Sequence, residues 1–199
     1  MKRTQVLWIT QTAMLLAIAV LSQSYLMSVL GGNTPLSQLA VGSIVNFCLI
    51  LSTLACGFSS GAAIAVGTTF IAFIMGRIVY PQQMLIVSLG NLTIVTIFWL
   101  FCHKKIFDAH YTINWAAASV TGAVFKYLVL WVGMTKIFIE FVLKNDASLA
   151  APQIEKMTAV IVMNFTWTQI ATALIGSVLA FVVYKVLKPI LFDKKIKIV

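Results

Sequence analysis

Residues 4–76 of the chain are TQVLWITQTAMLLAIAVLSQSYLMSVLGGNTPLSQLAVGSIVNFCLILSTLACGFSSGAAIAVGTTFIAFIMG, and they contain no Lys, Arg, Asp or Glu. Three apolar runs, residues 7–30, 40–55 and 61–76, are separated by clusters of Gly, Asn, Pro and Ser. A helix that crosses a hydrocarbon core of about 30 Å needs roughly 20 mostly apolar residues. This stretch therefore predicts three membrane helices in succession.

The remainder of the 199-residue chain continues the pattern, and 61% of all residues are hydrophobic while 10% are charged. Its apolar runs predict an all-α membrane protein with six transmembrane helices, forming a single domain over residues 1–199. The predicted helices cover residues 5–30, 39–56, 61–79, 82–102, 114–140 and 157–187. The first helix is too long for the apolar segment of a secretory signal, so we expect it to be retained.

Basic residues are concentrated on one side of the predicted bundle, and cytoplasmic segments are the ones that carry such an excess. If the N-terminus is inside, the inner segments hold Lys2, Arg3, Lys104, Lys105, Lys185, Lys188, Lys194, Lys195 and Lys197, and the outer side holds Arg77, Lys136, Lys144 and Lys156. This distribution predicts that both termini are cytoplasmic. The net charge of +9 then follows from topology, and no nucleic-acid partner is expected.

Lys126 is an ionisable residue near the middle of the predicted fifth helix. It lies about 12 residues, or roughly 18 Å at 1.5 Å per residue, from each polar flank, which is too deep for its ammonium to reach water easily. The five acidic residues, Asp108, Glu140, Asp146, Glu155 and Asp193, lie at helix ends or in loops. A ligand carboxylate or phosphate is one possible counter-ion. A neutral amine, or an ammonium held by backbone carbonyls and water, is the alternative.

Other predicted helices carry polar side chains at about the same depth in the membrane as Lys126. Asn91 and Asn164 are predicted to lie at a similar depth, and with Trp131 and Trp167 they are candidates to enclose a small aromatic or carboxylated solute. Two alternatives stay open for these residues. Polar side chains such as Asn46 also join membrane helices by hydrogen bonds, and Trp near a membrane interface is commonly an anchor.

Ala13 and Ala17 in the first helix form an A-x-x-x-A pair. Small residues four positions apart let a second membrane helix approach closely. With this pair the chain resembles the S components, the substrate-binding membrane subunits, of energy-coupling factor (ECF) transporters. The resemblance covers the whole chain in outline: its length, six spans, cytoplasmic termini with a basic tail, the alanine pair, and a turn-rich first outer loop.

The resemblance implies a subunit that captures a vitamin or related micronutrient from outside a bacterial cell membrane. It further implies docking through the alanine face of the first helix onto a transmembrane coupling (T) subunit, which two ATP-binding cassette ATPases drive. By region, the family's binding site corresponds to Asn33, Asn91, Lys126, Trp131 and Asn164. No substrate-specific signature is present, so the identity of the solute is left open.

Other function classes fit parts of the sequence less well. Residues 57–61, GFSSG, match the G-x-S-x-G pattern of serine hydrolases, but that pattern needs a strand-to-helix turn and this segment is predicted to be a helical hairpin. A stand-alone secondary transporter usually carries intramembrane Asp, Glu or His, which the predicted spans lack in mid-membrane. The chain has no Walker A motif and no CxxC pair. We therefore expect no enzyme activity, metal or cofactor here, and ATP hydrolysis in separate subunits.

Overall fold

The protein folds as a bundle of helices, seen in a computed structural model that describes residues 3–32, 34–103 and 111–192. The α-helices are α1 (Arg3–Val29), α2 (Pro35–Cys56), α3 (Phe58–Ile74), α4 (Pro81–Phe98), α5 (Tyr111–Trp131), α6 (Ala151–Asn164) and α7 (Trp167–Phe192). The wider π-helical turn extends α4 to His103 and α5 to Leu143. These ranges contain no β-strand.

Five helical stretches are long and apolar enough to cross a membrane, namely Gln5–Val29, Pro35–Cys56, Pro81–Cys102, Tyr111–Leu143 and Ala151–Leu187. The sixth, α3, is also apolar and has 17 residues, which is about 25 Å at 1.5 Å per residue. The predicted all-α membrane fold is therefore confirmed.

Local sequence signals set several helix ends differently from the apolar runs. α2 begins at Pro35 rather than residue 39, because Thr34 caps it: Ser37 N donates to Thr34 Oγ1 at 3.2 Å, and Thr34 N donates to Ser37 Oγ at 3.0 Å. α3 ends at Ile74 rather than residue 79, because Gly76 adopts a left-handed φ of 69°. The α2–α3 connection is Gly57 alone, with φ at 97°.

The predicted final helix, residues 157–187, differs most. It begins earlier, at Ala151, because Pro152 fits the first helical turn, where its missing N–H is not needed. It is also broken at Phe165 and Thr166, between α6 and α7. At the break, Thr168 Oγ1 and Gln169 Nε2 each donate to the Asn164 carbonyl oxygen at 2.8 Å. These side chains replace the helical hydrogen bond that the break removes.

α2 is the central helix of the bundle and packs against α1, α3, α4 and α7. Its approach to α7 is close: a Cβ added at Gly176 would lie 2.6 Å from Asn46 Cβ and 2.7 Å from the Ser43 carbonyl oxygen. Glycine at this position lets the two backbones meet. A second apolar cluster, which includes Phe138 and Ile161, joins the extension of α5 to α6.

Candidate functional site

A cavity of about 720 Å³ lies at one end of the bundle. At this end, which we call the cavity end, short connections join α1 to α2, α3 to α4, and α5 to α6. The walls come from all of these helices and from the start of α7, and they include residues on both sides of the break at Phe165. Small-molecule sites typically measure about 300–1,000 Å³, so the cavity suits a small organic solute.

Lys126 lies in the cavity wall, and only 3% of its surface is exposed. Its Nζ donates to Asn46 Oδ1 at 2.6 Å and to Asn91 Oδ1 at 2.8 Å. Asn46 Nδ2 in turn donates to Thr172 Oγ1 at 3.3 Å. The network connects α2, α4, α5 and α7. These two amide acceptors orient the Lys126 amine and place no negative charge beside it.

Arg77 places a second positive charge at the cavity. Its Nη1 donates to the Gln23 carbonyl oxygen, and its Nη2 donates to the Ser24 carbonyl oxygen at 3.3 Å. No Asp or Glu is among the described residues that line the cavity. The salt bridge between Lys144 and Glu140, at 2.8 Å, is on the exposed surface. The described cavity lining thus holds two basic side chains and no carboxylate.

Two buried side-chain oxygens at the cavity accept no hydrogen bond in the described part of the chain, Gln23 Oε1 and Asn164 Oδ1. Asn164 is 8% exposed and is the last residue of α6, immediately before the break. A buried acceptor that is left without a donor costs about 1–3 kcal/mol. The site therefore presents buried oxygens without a described donor as well as basic side chains without a described carboxylate.

Comparison with known proteins identifies the family. The family model for the substrate-specific component of ECF transporters matches residues 8–188. The chain belongs to this family. No curated protein and no solved structure matches the chain. The resemblance inferred from the alanine pair and the six spans is confirmed. The protein is a substrate-specific membrane subunit of an ECF transporter, and such S components are not themselves enzymes.

Three of the candidate residues of this S component come together at the cavity. Lys126, Asn91 and Asn164 all line it, and Asn91 bonds directly to Lys126. Asn33, also a candidate, lies outside the described residues, and its neighbours Gly32 and Thr34 are part of the α1–α2 connection.

The two candidate tryptophans do not line the cavity. Trp131 follows Lys126 by five positions, which at 3.6 residues per turn turns its side chain about 140° away. Its ring instead lies beneath Lys136, whose Nζ is 5.5 Å from the ring centroid. Trp167 is 66% exposed on the outside of the bundle. Both positions suit the alternative interpretation, in which Trp anchors a helix near the membrane interface.

The sequence interpretation missed several residues of the site. From the sequence, Asn46 is predicted only to join helices by hydrogen bonds, yet it is a direct acceptor for Lys126, 80 positions away in the chain. Arg77 is used in the sequence analysis only as a basic residue on the outer side of the membrane. The useful signal was the amide in the middle of an apolar helix, because a polar group there needs a partner. Gln23 carried no comparable signal.

The GFSSG segment forms a tight helical hairpin. Ser59 lies in the first turn of α3 and is exposed, while Ser60 is buried and shares a hydrogen bond of 2.7 Å with Thr12. The side chains of the two histidines of the sequence, His103 and His110, lie outside the described residues. The strand-to-helix turn that a nucleophile elbow needs is not formed here.

Proposed function

We propose that this S component captures a small organic solute, a vitamin or related micronutrient, in the cavity beside Lys126. The observation that carries the proposal is the buried Lys126 amine in the wall of a solute-sized cavity, held by Asn46 and Asn91 with no described carboxylate beside it. Ionisable residues inside membrane proteins are costly, and they mark solute pathways by default.

We also propose that α1 docks on a transmembrane T subunit, which two ATP-binding cassette ATPases drive. Ala13 and Ala17 are exposed on α1, beside Met14 and Ile18, whereas Leu15 and Ala19 face the other helices. An exposed face with small residues four positions apart suits close packing of a second helix. The expected partners of the subunit are thus its solute, these transporter subunits and the surrounding lipid.

The excess of basic residues supports an orientation in which the cavity end faces outside and both termini lie in the cytoplasm. In this orientation residues 1–199 form one six-span unit whose cavity receives solute from outside. A stand-alone secondary transporter would require the same cavity but no ATPases. Uptake into vesicles that contain this protein alone would favour that alternative.

The test is mass spectrometry of small molecules extracted from the detergent-purified protein. Wild type is compared with Lys126→Met, which removes the buried amine of the cavity, and with Lys144→Met, which removes an exposed one. We expect a vitamin-sized compound in wild type and in Lys144→Met, and none in Lys126→Met. A compound retained equally by all three proteins would contradict the role of Lys126, and no compound in any of them would count against tight capture.

A further inference from the structure

We infer that the captured solute is an anion with neighbouring hydrogen-bond donors: a carboxylate or phosphate group that meets Lys126, and N–H or O–H groups that meet Asn164 and Gln23. The inference rests on the proposed capture function and names the chemical class of its solute. The inference depends on two features of one cavity: basic side chains with no described carboxylate beside them, and buried amide oxygens that accept no described hydrogen bond.

The anionic end of the solute is inferred from the charges. Lys126 donates to two amide oxygens, and neither cancels its charge, so one donor of the ammonium is left for a ligand. Arg77 adds a second cation, bonded to backbone carbonyls of α1. In a site of low dielectric these charges attract an anion strongly and repel a cation. A carboxylate or phosphate is therefore the group that completes the site.

The hydrogen-bond donors of the solute are inferred from two buried amide oxygens in the cavity. Asn164 Oδ1 and Gln23 Oε1 are buried at the cavity, and neither accepts a hydrogen bond from a described residue. A site built with such acceptors discriminates strongly against an analogue that lacks the matching donor, because the oxygens then stay unpaired. The break between α6 and α7 supports this role, since it leaves Asn164 at the cavity and not inside a continuous helix.

The experiment separates solutes by charge before they meet the protein. A small-molecule extract of bacterial cells is divided on an anion-exchange resin at neutral pH into a retained pool and an unretained pool. Bound solute is first removed from the detergent-purified full chain by exhaustive dialysis. Each pool is then added, and the shift of the thermal unfolding midpoint is measured. The retained pool is expected to stabilise wild type and Lys144→Met, and to leave Lys126→Met unchanged.

Each other outcome has a distinct meaning. Stabilisation of wild type by the unretained pool would overturn the anion inference and leave the capture function standing. If neither pool stabilised wild type, the capture function itself would be contradicted. Stabilisation of Lys126→Met by the retained pool, to the same extent as wild type, would show that the anion binds elsewhere.

The donor end is tested with the active compound purified from the retained pool. Asn164→Leu and Gln23→Leu are each expected to raise its dissociation constant at least about tenfold, as loss of a buried hydrogen bond does. Asn145→Leu, which changes an exposed amide in the α5–α6 connection, is the control.

Stability without solute distinguishes a ligand contact from a structural role. Because Asn164 Oδ1 and Gln23 Oε1 bond to no described group, the unliganded variants should unfold at or above the wild-type midpoint. Unchanged affinity in both variants would overturn the donor inference, and so would a loss of affinity matched by a lower midpoint without solute.

Discussion

α1 and α2 are both long apolar helices, but they occupy opposite places in the bundle. In an 18-residue apolar window, 61% of the α2 residues are buried inside the protein, compared with 17% in α1. α2 contacts α1, α3, α4, α6 and α7, and it supplies Asn46 to the Lys126 network. α1 presents much of its surface outward. Although both helices are apolar, α2 therefore contributes to the site, whereas α1 has an exposed face.

The difference shows what determines burial in a membrane protein. Lipid tails are as apolar as a protein interior, so hydrophobicity does not decide which helix is central. Polar and small residues do. α2 buries Ser43, Asn46, Ser52 and Thr53, which would be poorly placed against lipid.

The largest loss of stability is expected where α2 meets α7. Gly176→Ala would bring a Cβ within 2.7 Å of the Ser43 carbonyl oxygen and 2.9 Å of Phe47 N, and backbone atoms cannot turn aside. Overpacking of this kind costs about 1–3 kcal/mol. We expect a clearly lower thermal unfolding midpoint in detergent and weaker solute binding, because Asn46 lies at the contact.

Gly122→Ala is the matched control for this substitution. Gly122 is also helical, but its added Cβ would come no closer than 3.4 Å to Ile94 Cγ1, an ordinary contact. Alanine is the better helix former by about 0.5–1 kcal/mol, so this variant should be as stable as wild type or more so. Equal losses in both variants would show that the α2–α7 approach is not specially tight.

A smaller effect on stability, with a large effect on transport, is expected on the open face of α1. Because Ala13 and Ala17 are exposed, the double variant Ala13→Leu, Ala17→Leu should change the free energy of unfolding by less than about 0.5 kcal/mol. Solute binding by the purified subunit should be unchanged. ATP-driven uptake in cells should be lost, because the bulkier side chains keep the coupling subunit at a distance.

The control places the same two substitutions on other helices, as Ala63→Leu with Ala116→Leu. Both residues are exposed, on α3 and α5. Uptake should survive in this control. If the α1 variant also transported normally, docking through the alanine pair would be wrong.

The smallest effect is expected outside α1 and α2, in the connections at the cavity end. There, Tyr80 Oη donates to Asp146 Oδ2 at 2.7 Å and links the α3–α4 connection to the α5–α6 connection. The pKa of Asp146 is lowered by the hydrogen bond from the Ser148 hydroxyl, by that from Tyr80 and by that from the Ser148 backbone N–H. Stabilisation is therefore present above the ordinary pKa of about 3.9 and is lost as pH falls through the lowered pKa.

Asp146→Asn tests this pH dependence. The variant should unfold at a slightly lower temperature than wild type at a pH of about 6, and the difference should shrink at a pH of about 3. Comparing the two proteins at each pH removes the contribution of the other carboxylates. A difference that grew toward low pH would contradict the assigned direction.

The sequence was sufficient for features that depend on local composition. Apolar runs predicted the spans, and the rarity of charge inside them singled out Lys126 with Asn91 and Asn164. Features that depend on tertiary placement were not accessible. The pairing of Lys126 with Asn46 joins distant helices, and the direction in which Trp131 points depends on its rotation relative to the cavity. The break after Asn164 lies in NFTWT, a run of weak helix formers that an apolar pattern does not reveal.

The two hydrogen bonds of Arg77 have a mechanical consequence. They attach the connection that follows α3 to backbone oxygens of Gln23 and Ser24 on α1, so the helix with the open outer face is fastened at its inner face to the rim of the cavity. α1 cannot tilt or rotate there without pulling on this connection or breaking both bonds. A load applied to the outside of α1 is therefore transmitted to the mouth of the cavity, which α1 itself lines, and Arg77 is one of the side chains that carry it.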